Sequence, residues 1–177
     1  RQKGLAHLLR AWKDVPAEYG LVLAAGSPDE EGIGNEVAEL IADLQRTRSK
    51  VWWIKEMLPH DQLTAMLTAA DLFICPSIYE PLGIVNLEAM ACETAVLGSR
   101  VGGIPEVVAD KETGELVDYN GEAGSFEKAL TESISRLMAQ PQLLQQYGNA
   151  GRIRAQKLFG WDAVAALTVD LYRRVLA

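Results

Sequence analysis

Apolar residues fall along this 177-residue chain in two rhythms that take turns. In the stretch KGLAHLLRAWKDV, Leu5, Leu8, Leu9 and Trp12 recur at helical spacing. LVLAAG at 21–26 is a short, unbroken apolar run closed by glycine, which reads as a buried strand. Residues 30–48 return to helical spacing through Val37, Leu40, Ile41 and Leu44, and VWWI at 51–54 is strand-like again. PHDQLTAMLTAA predicts a helix opened by Pro59, DLFIC at 71–75 a strand, 83–91 a helix, and AVLG at 95–98 a strand. From Gly121 onward only helical spacing remains, over 122–138, 142–159 and 161–176, with Pro141 and Gly160 at the breaks. The strands are continuous apolar runs rather than alternating ones, and helices separate them. Both facts predict a doubly wound, Rossmann-like α/β domain whose parallel sheet is covered on both faces.

The length suits one domain, taken here as 1–177, with 161–176 as a closing helix. A formal net charge of −7 argues against nucleic acid or an anionic membrane as the main partner. Any phosphate must then be held by local donors. Cys75 and Cys92 lie inside apolar runs and read as reduced core thiols. No apolar run is long enough to span a bilayer and no signal peptide is evident, so a cytoplasmic location is expected. The opening RQKGLAHLL lacks methionine and starts as if in mid-motif, so a piece of a longer protein is expected.

The most informative stretch is FICPSIYEPLGIVNLEAMACETAVLG, at 73–98. In open parallel sheets ligands bind beyond the carboxyl ends of strands, and the strand at 71–75 ends at PSIYEPLG. Glu80 precedes a proline, which holds it extended and outside the helix, facing the crevice. Pro81 fits the first helical position. The N–H groups of Leu82, Gly83 and Ile84 are then free to seat a phosphate, and Gly83 lets a ligand approach the backbone closely. Glu88 lies roughly 7–8 Å further along the helix at ~1.5 Å per residue. A carboxylate there repels phosphate but accepts hydrogen bonds from the hydroxyls of a ribose or a hexose. The spacing suits a sugar nucleotide. Stabilisation of the helix dipole by two glutamates is the plainer reading of the same pair.

The segment PSIYEPLGIVNLEAMACETAVLGSRVGGIPEVVADKETGELV closely resembles the donor site of the large retaining glycosyltransferase family of GT-B fold. The likeness is dense over residues 3–117 and softer beyond, where LFGWDAVAALTVDLYRRVLA resembles the family's closing helices. The string EPLGIVNLEAMAC looks most like the bacterial glycogen synthases of that family. The resemblance implies the C-terminal half of a GT-B fold. It implies that Glu80 touches hydroxyls of the transferred sugar, that Glu88 binds the ribose, and that Gly83 and Ile84 give N–H groups to the diphosphate. It also implies that Lys3 pairs with the diphosphate. The implied reaction moves glucose from ADP- or UDP-glucose to a glucan held by an N-terminal domain that this chain lacks. By itself the chain is then expected to be inactive. Gly102 and Gly103 correspond to a loop at the pocket edge and also fit a tight glycine turn. Leu58 is the choice for the wall under the base, and Glu106 reads as a helix-start residue. Glu93 and Lys111 stand where the family has glycine, and Gly160 where it has serine, which puts the local turn geometry in question.

No Asp-x-Asp pair or His/Cys cluster suggests a metal, and no cofactor is expected. GIGNEV at 32–37 resembles half of a dinucleotide fingerprint but does not directly follow a strand. His7 and His60 read as surface or packing residues. Three alternatives stay open: another sugar transferase of the same family (sucrose synthase or mannosyltransferase type), a glycoside hydrolase using Glu80 and Glu88, and a non-catalytic nucleotide-binding module. The base, the acceptor and the oligomeric state are left open by the sequence.

Overall fold

The computed structural model describes residues 2–26 and 31–176. The elements run α1 (Leu5–Ala11), β1 (Leu21–Ala24), α2 (Glu31–Thr47), β2 (Val51–Ile54), α3 (His60–Ala69), β3 (Leu72–Cys75) and α4 (Ile84–Ala91). They continue with β4 (Ala95–Ser99), α5 (Ile104–Val107), β5 (Gly114–Val117), α6 (Ala123–Met138), α7 (Pro141–Phe159) and α8 (Trp161–Leu176). All strand pairing is parallel, as continuous apolar strands joined by helices require. The hydrogen bonds fall into two ladders. One joins β1 to β2, with Leu21 opposite Val51, and the other runs β3-β4-β5, with Leu72 opposite Ala95 and Val96 opposite Gly114.

Strand β4 is buried at every position, and its alternating side chains divide the core. Ala95 and Leu97 join Leu9 of α1 and Trp12 just after it, Ile41 and Leu44 of α2, and Phe126, Leu130 and Ile134 of α6. Val96 faces the other way, onto Leu67 of α3, Ala89 and Met90 of α4, and Ala155 of α7. The same first cluster holds Leu21, Leu23 and Val51, so both ladders share it. The expected two-sided α/β architecture is therefore present.

Some details differ from the reading of the sequence. Strand β5 was hidden by Gly114 and by a charged residue, Glu115, in its middle, yet Glu115 is buried at 3 % exposure. Arg136 of α6 grips it bidentately, Lys111 lies 2.7 Å away and the Tyr147 hydroxyl donates to it at 3.4 Å. Burial pushes the Glu115 carboxyl up, but the hydrogen bonds from Arg136 and Lys111 outweigh it and hold the group below its ordinary value. Burial likewise pushes the Tyr147 phenol up. Pro59 caps α3 from outside rather than opening it. Glu93 and Lys111, in place of family glycines, both hold φ at 63°, so the turn geometry is kept at the cost of a left-handed side-chain-bearing residue. The predicted start of α2 at position 30 lies outside the described residues. The GIGNEV stretch lies in the first turns of α2 and does not directly follow β1, which ends at Ala24. Helix α8 has no buried residue, and Trp161, Leu167, Leu171, Tyr172 and Val175 are all more than half exposed.

Candidate functional site

Strand β3 ends at Cys75, and the chain then takes eight residues to reach α4. That connection is tied on both sides. The Ser99 hydroxyl, at the end of β4, donates to the carbonyl of Ser77. Ile78 and Tyr79 donate backbone N–H groups to the carbonyl of Gln2 at 2.8 and 3.3 Å. The segment ahead of α1 is thereby stitched to the carboxyl end of β3. Lys3 follows at once, and its Nζ lies 2.6 Å from Oε2 of Glu80. Ser77 also donates its hydroxyl to this oxygen, at 3.3 Å. The Glu80 side chain is only 8 % exposed while that of Lys3 is 69 % exposed, so the anion sits within the wall and the cation reaches it from the solvent side.

Two glycines make this possible by yielding to backbone. A methyl group at Gly4 would fall 1.8 Å from the carbonyl oxygen of Pro76, and one at Gly102 would fall 1.8 Å from the carbonyl oxygen of Glu80. Both residues hold positive φ, at 64° and 52°. Gly103 then donates its N–H to that same Glu80 carbonyl at 3.0 Å. Gly102 and Gly103 thus press on the Glu80 backbone, a contact that the spacing alone did not separate from a ligand-facing turn.

Helix α4 begins later than Pro81 suggested. Gly83 is its N-cap, at φ 86°, and Pro81 stands two residues before that, in the bend. Leu82 and Gly83 therefore precede the helix, and the free donors of its first turn are the N–H groups of Ile84 and Val85. The N–H of Asn86 is taken by the Gly83 carbonyl at 2.9 Å. Ile84 is 61 % exposed, so this helix end opens outward. Glu88 lies one turn beyond Ile84 on the same face, half-buried. Leu58 is half-buried in the connection between β2 and α3. Among the described hydrogen bonds, neither Glu88 nor Leu58 is joined to Lys3 or Glu80. Glu106 lies in the first turn of α5 but makes no cap with its side chain.

Three side chains near the site carried no role in the sequence reading. Ser77 and Ser99 belong to a buried polar seam at the strand ends. Asn86 is wholly buried at 0 % exposure, the one carboxamide in the apolar run of α4. Of the two histidines, His7 packs edge-on against Phe126, with Nδ1 2.7 Å from Glu127, and His60 opens α3 in an exposed position. Among the described residues no group of three or more His, Cys, Asp or Glu could hold a metal, and no helix is long and apolar enough to cross a membrane.

A buried carboxylate, a solvent-exposed cation paired to it and an open helix start thus meet at the carboxyl ends of β3 and β4. Residues 1–154 match the family described as glycosyl transferases group 1. The chain belongs to that family. Among curated glycosyl transferases of similar sequence is the alpha-maltose-1-phosphate synthase of Mycolicibacterium smegmatis, 48 % identical over 178 residues, covering 100 % of this chain and 46 % of that protein. The MMP alpha-(1->4)-mannosyltransferase of Mycolicibacterium hassiacum is 35 % identical over 99 % of this chain and 41 % of its own length. Among solved structures, a sucrose-phosphate synthase from Thermosynechococcus elongatus superposes with a TM-score of 0.82 at 35 % identity, covering 99 % of this chain and 43 % of that one. The chain spans about half the length of these relatives. None of the three is named a glycogen synthase, the type that the EPLGIVNLEAMAC string suggested.

Proposed function

We propose that this chain is the donor-binding half of a hexosyltransferase that uses a nucleoside diphosphate glucose. The observation that carries the reading is the meeting of Lys3, Glu80 and the free first turn of α4 at one sheet end. The diphosphate sits on the N–H groups of Ile84 and Val85, with Gly83 beneath it, and Lys3 pairs with the phosphate oxygens. Glu88, on the same helix face as Ile84, accepts from the ribose. Glu80 accepts from the hexose. Leu82 and Leu58 flank the ligand, and Gly102 and Gly103 shape the site through the Glu80 backbone. In transfer, the bond between the anomeric carbon and the distal phosphate oxygen breaks, a bond to the acceptor oxygen forms, and the acceptor's proton leaves with the nucleoside diphosphate. Lys3 and the positive helix end stabilise the charge that grows on that leaving group.

The acceptor belongs to the half of the relatives that this chain does not span. The 48 % identity to an alpha-maltose-1-phosphate synthase favours a parent that joins glucose to a sugar phosphate. The glycogen synthase reading, with a glucan acceptor, rests on the EPLGIVNLEAMAC string alone and stands second. A hydrolase is the weaker use of Glu80, because its carboxylate is already bound to Lys3 and Ser77. Titration calorimetry of the chain with ADP, UDP and their glucose adducts tests the proposal. Binding of at least one pair, surviving a chelator, is expected. Absence of heat with all four overturns it.

A further inference from the structure

Asn86 poses a question that the donor-site reading does not answer. Its side chain is fully buried, and neither its Nδ2 nor its Oδ1 has a hydrogen-bond partner among the described residues. A buried amide without partners is destabilising, and an apolar residue of the same shape would be better tolerated. The carboxamide is nevertheless placed with care. A methyl group on Gly83 would lie 2.5 Å from Nδ2 of Asn86 and 3.4 Å from Cγ of Glu80, so the amide and the Glu80 side chain share the space over that glycine.

Glu80 is the group whose partners must change. In the free chain its Oε2 holds Lys3 at 2.6 Å. If Lys3 moves to a diphosphate, a carboxylate only 8 % exposed loses its cation. Such a charge is costly to leave buried and unpaired. Among the described residues, Ser77 then remains as its one hydrogen-bond donor, at 3.3 Å.

Resting on the donor-site reading above, we propose that Asn86 is a positioning residue that takes over Glu80 when Lys3 leaves it. Its Nδ2 donates to the Glu80 carboxylate in the ligand-bound state and holds that carboxylate toward the hexose, while the unpaired amide of the free state is the cost of keeping that donor in reserve. Asn86 acts through Glu80 and touches no substrate. The small residue at Gly83 leaves room for the exchange.

The test combines two readouts on the Asn86→Leu variant. Removing an unpaired buried amide is expected to leave the melting temperature unchanged or raised, while affinity for UDP-glucose or ADP-glucose falls at least tenfold. A residue that only supports the fold would instead lower the melting temperature and leave the affinity of the folded protein unchanged, and that result overturns the proposal. If the leucine does not fit, the unmodified chain still decides. The side-chain amide protons of Asn86, followed by nitrogen-15 NMR, are expected to shift and exchange more slowly on saturation with the sugar nucleotide. Amide signals that are already protected in the free chain and do not respond to nucleotide overturn the exchange. Failure of the parent chain to bind any of the four nucleotides is a different result, because it removes the donor-site reading itself.

Discussion

Replacing Glu80 with glutamine should raise the affinity for the bare nucleotide and lower the preference for its glucose adduct. The glutamine keeps the shape and still accepts from Ser77, but it no longer holds Lys3 by charge. The pair is close, at 2.6 Å, and unevenly buried, with the lysine 69 % exposed and the glutamate 8 %. Fully exposed pairs contribute ~0.2–1 kcal/mol, and hydrogen bonds to charged groups contribute ~1.5–3 kcal/mol. With one end in water, this pair belongs where those ranges meet, at about 1–1.5 kcal/mol. A nucleoside diphosphate must break it to recruit Lys3. Glu80→Gln removes that cost, so ADP or UDP should bind about 5- to 13-fold more tightly. The hexose meanwhile loses its charged acceptor, so the preference for the glucose adduct over the bare nucleotide should shrink. Calorimetry of parent and variant with both members of a pair reads the two effects separately. Weaker binding of the bare nucleotide by the variant, or an unchanged preference for the adduct, refutes the reasoning.

Glu88→Ala should weaken nucleotide and sugar nucleotide alike, by roughly 10- to 150-fold for a lost charged acceptor at ~1.5–3 kcal/mol, in the same titrations; unchanged affinities would reduce Glu88 to a helix-surface residue. Glu93→Gly relieves a left-handed φ of 63° at the expense of an exposed contact to Arg152 at 3.3 Å. The left-handed form costs a side-chain-bearing residue ~1–2 kcal/mol and glycine flexibility takes back up to ~1 kcal/mol, so a rise in melting temperature of a few degrees is expected and a fall contradicts it. The Glu115 carboxyl is held below its ordinary value near 4.5, so its stabilising effect is present above that value and is lost as pH falls through the folded one. Thermal melts between about pH 7 and pH 3 should therefore show the parent losing stability more steeply on acidification than Glu115→Gln, and parallel curves would contradict this.

Alternating strands and helices were legible because β1 to β4 are unbroken apolar runs between helically spaced ones. β5 was not, since Glu115 becomes tolerable in a buried strand only through Arg136, 21 residues away in sequence, and Lys111. The residues of the candidate site could be nominated by type and position, through the PSIYEPLG turn and the Glu80 and Glu88 spacing. Their contacts were not. Lys3 and Glu80 are 77 residues apart in sequence, and only the tertiary fold joins them. Glycine is ambiguous in the same way: a sequence cannot say whether the missing side chain at Gly102 admits a ligand or the protein's own carbonyl. The proline preference for first helical positions misplaced the start of α4, because the left-handed turn at Gly83 sets it instead. Asn86 was passed over because one amide in an apolar helix looks incidental until its burial is seen.

The exposure of α8 divides the chain by the way it opens. A helix with no buried residue gains little from the cooperative core, so its backbone protons can be released by fraying without unfolding anything else. In native-state hydrogen exchange its amides should trade with solvent long before those of β4, which is buried from end to end. The proposed donor site rides on β3, β4 and α4, within the part expected to exchange slowly. Cutting the chain after Gly160 should consequently leave nucleotide affinity where it was, which makes the last turn of α7 the practical end of the binding unit.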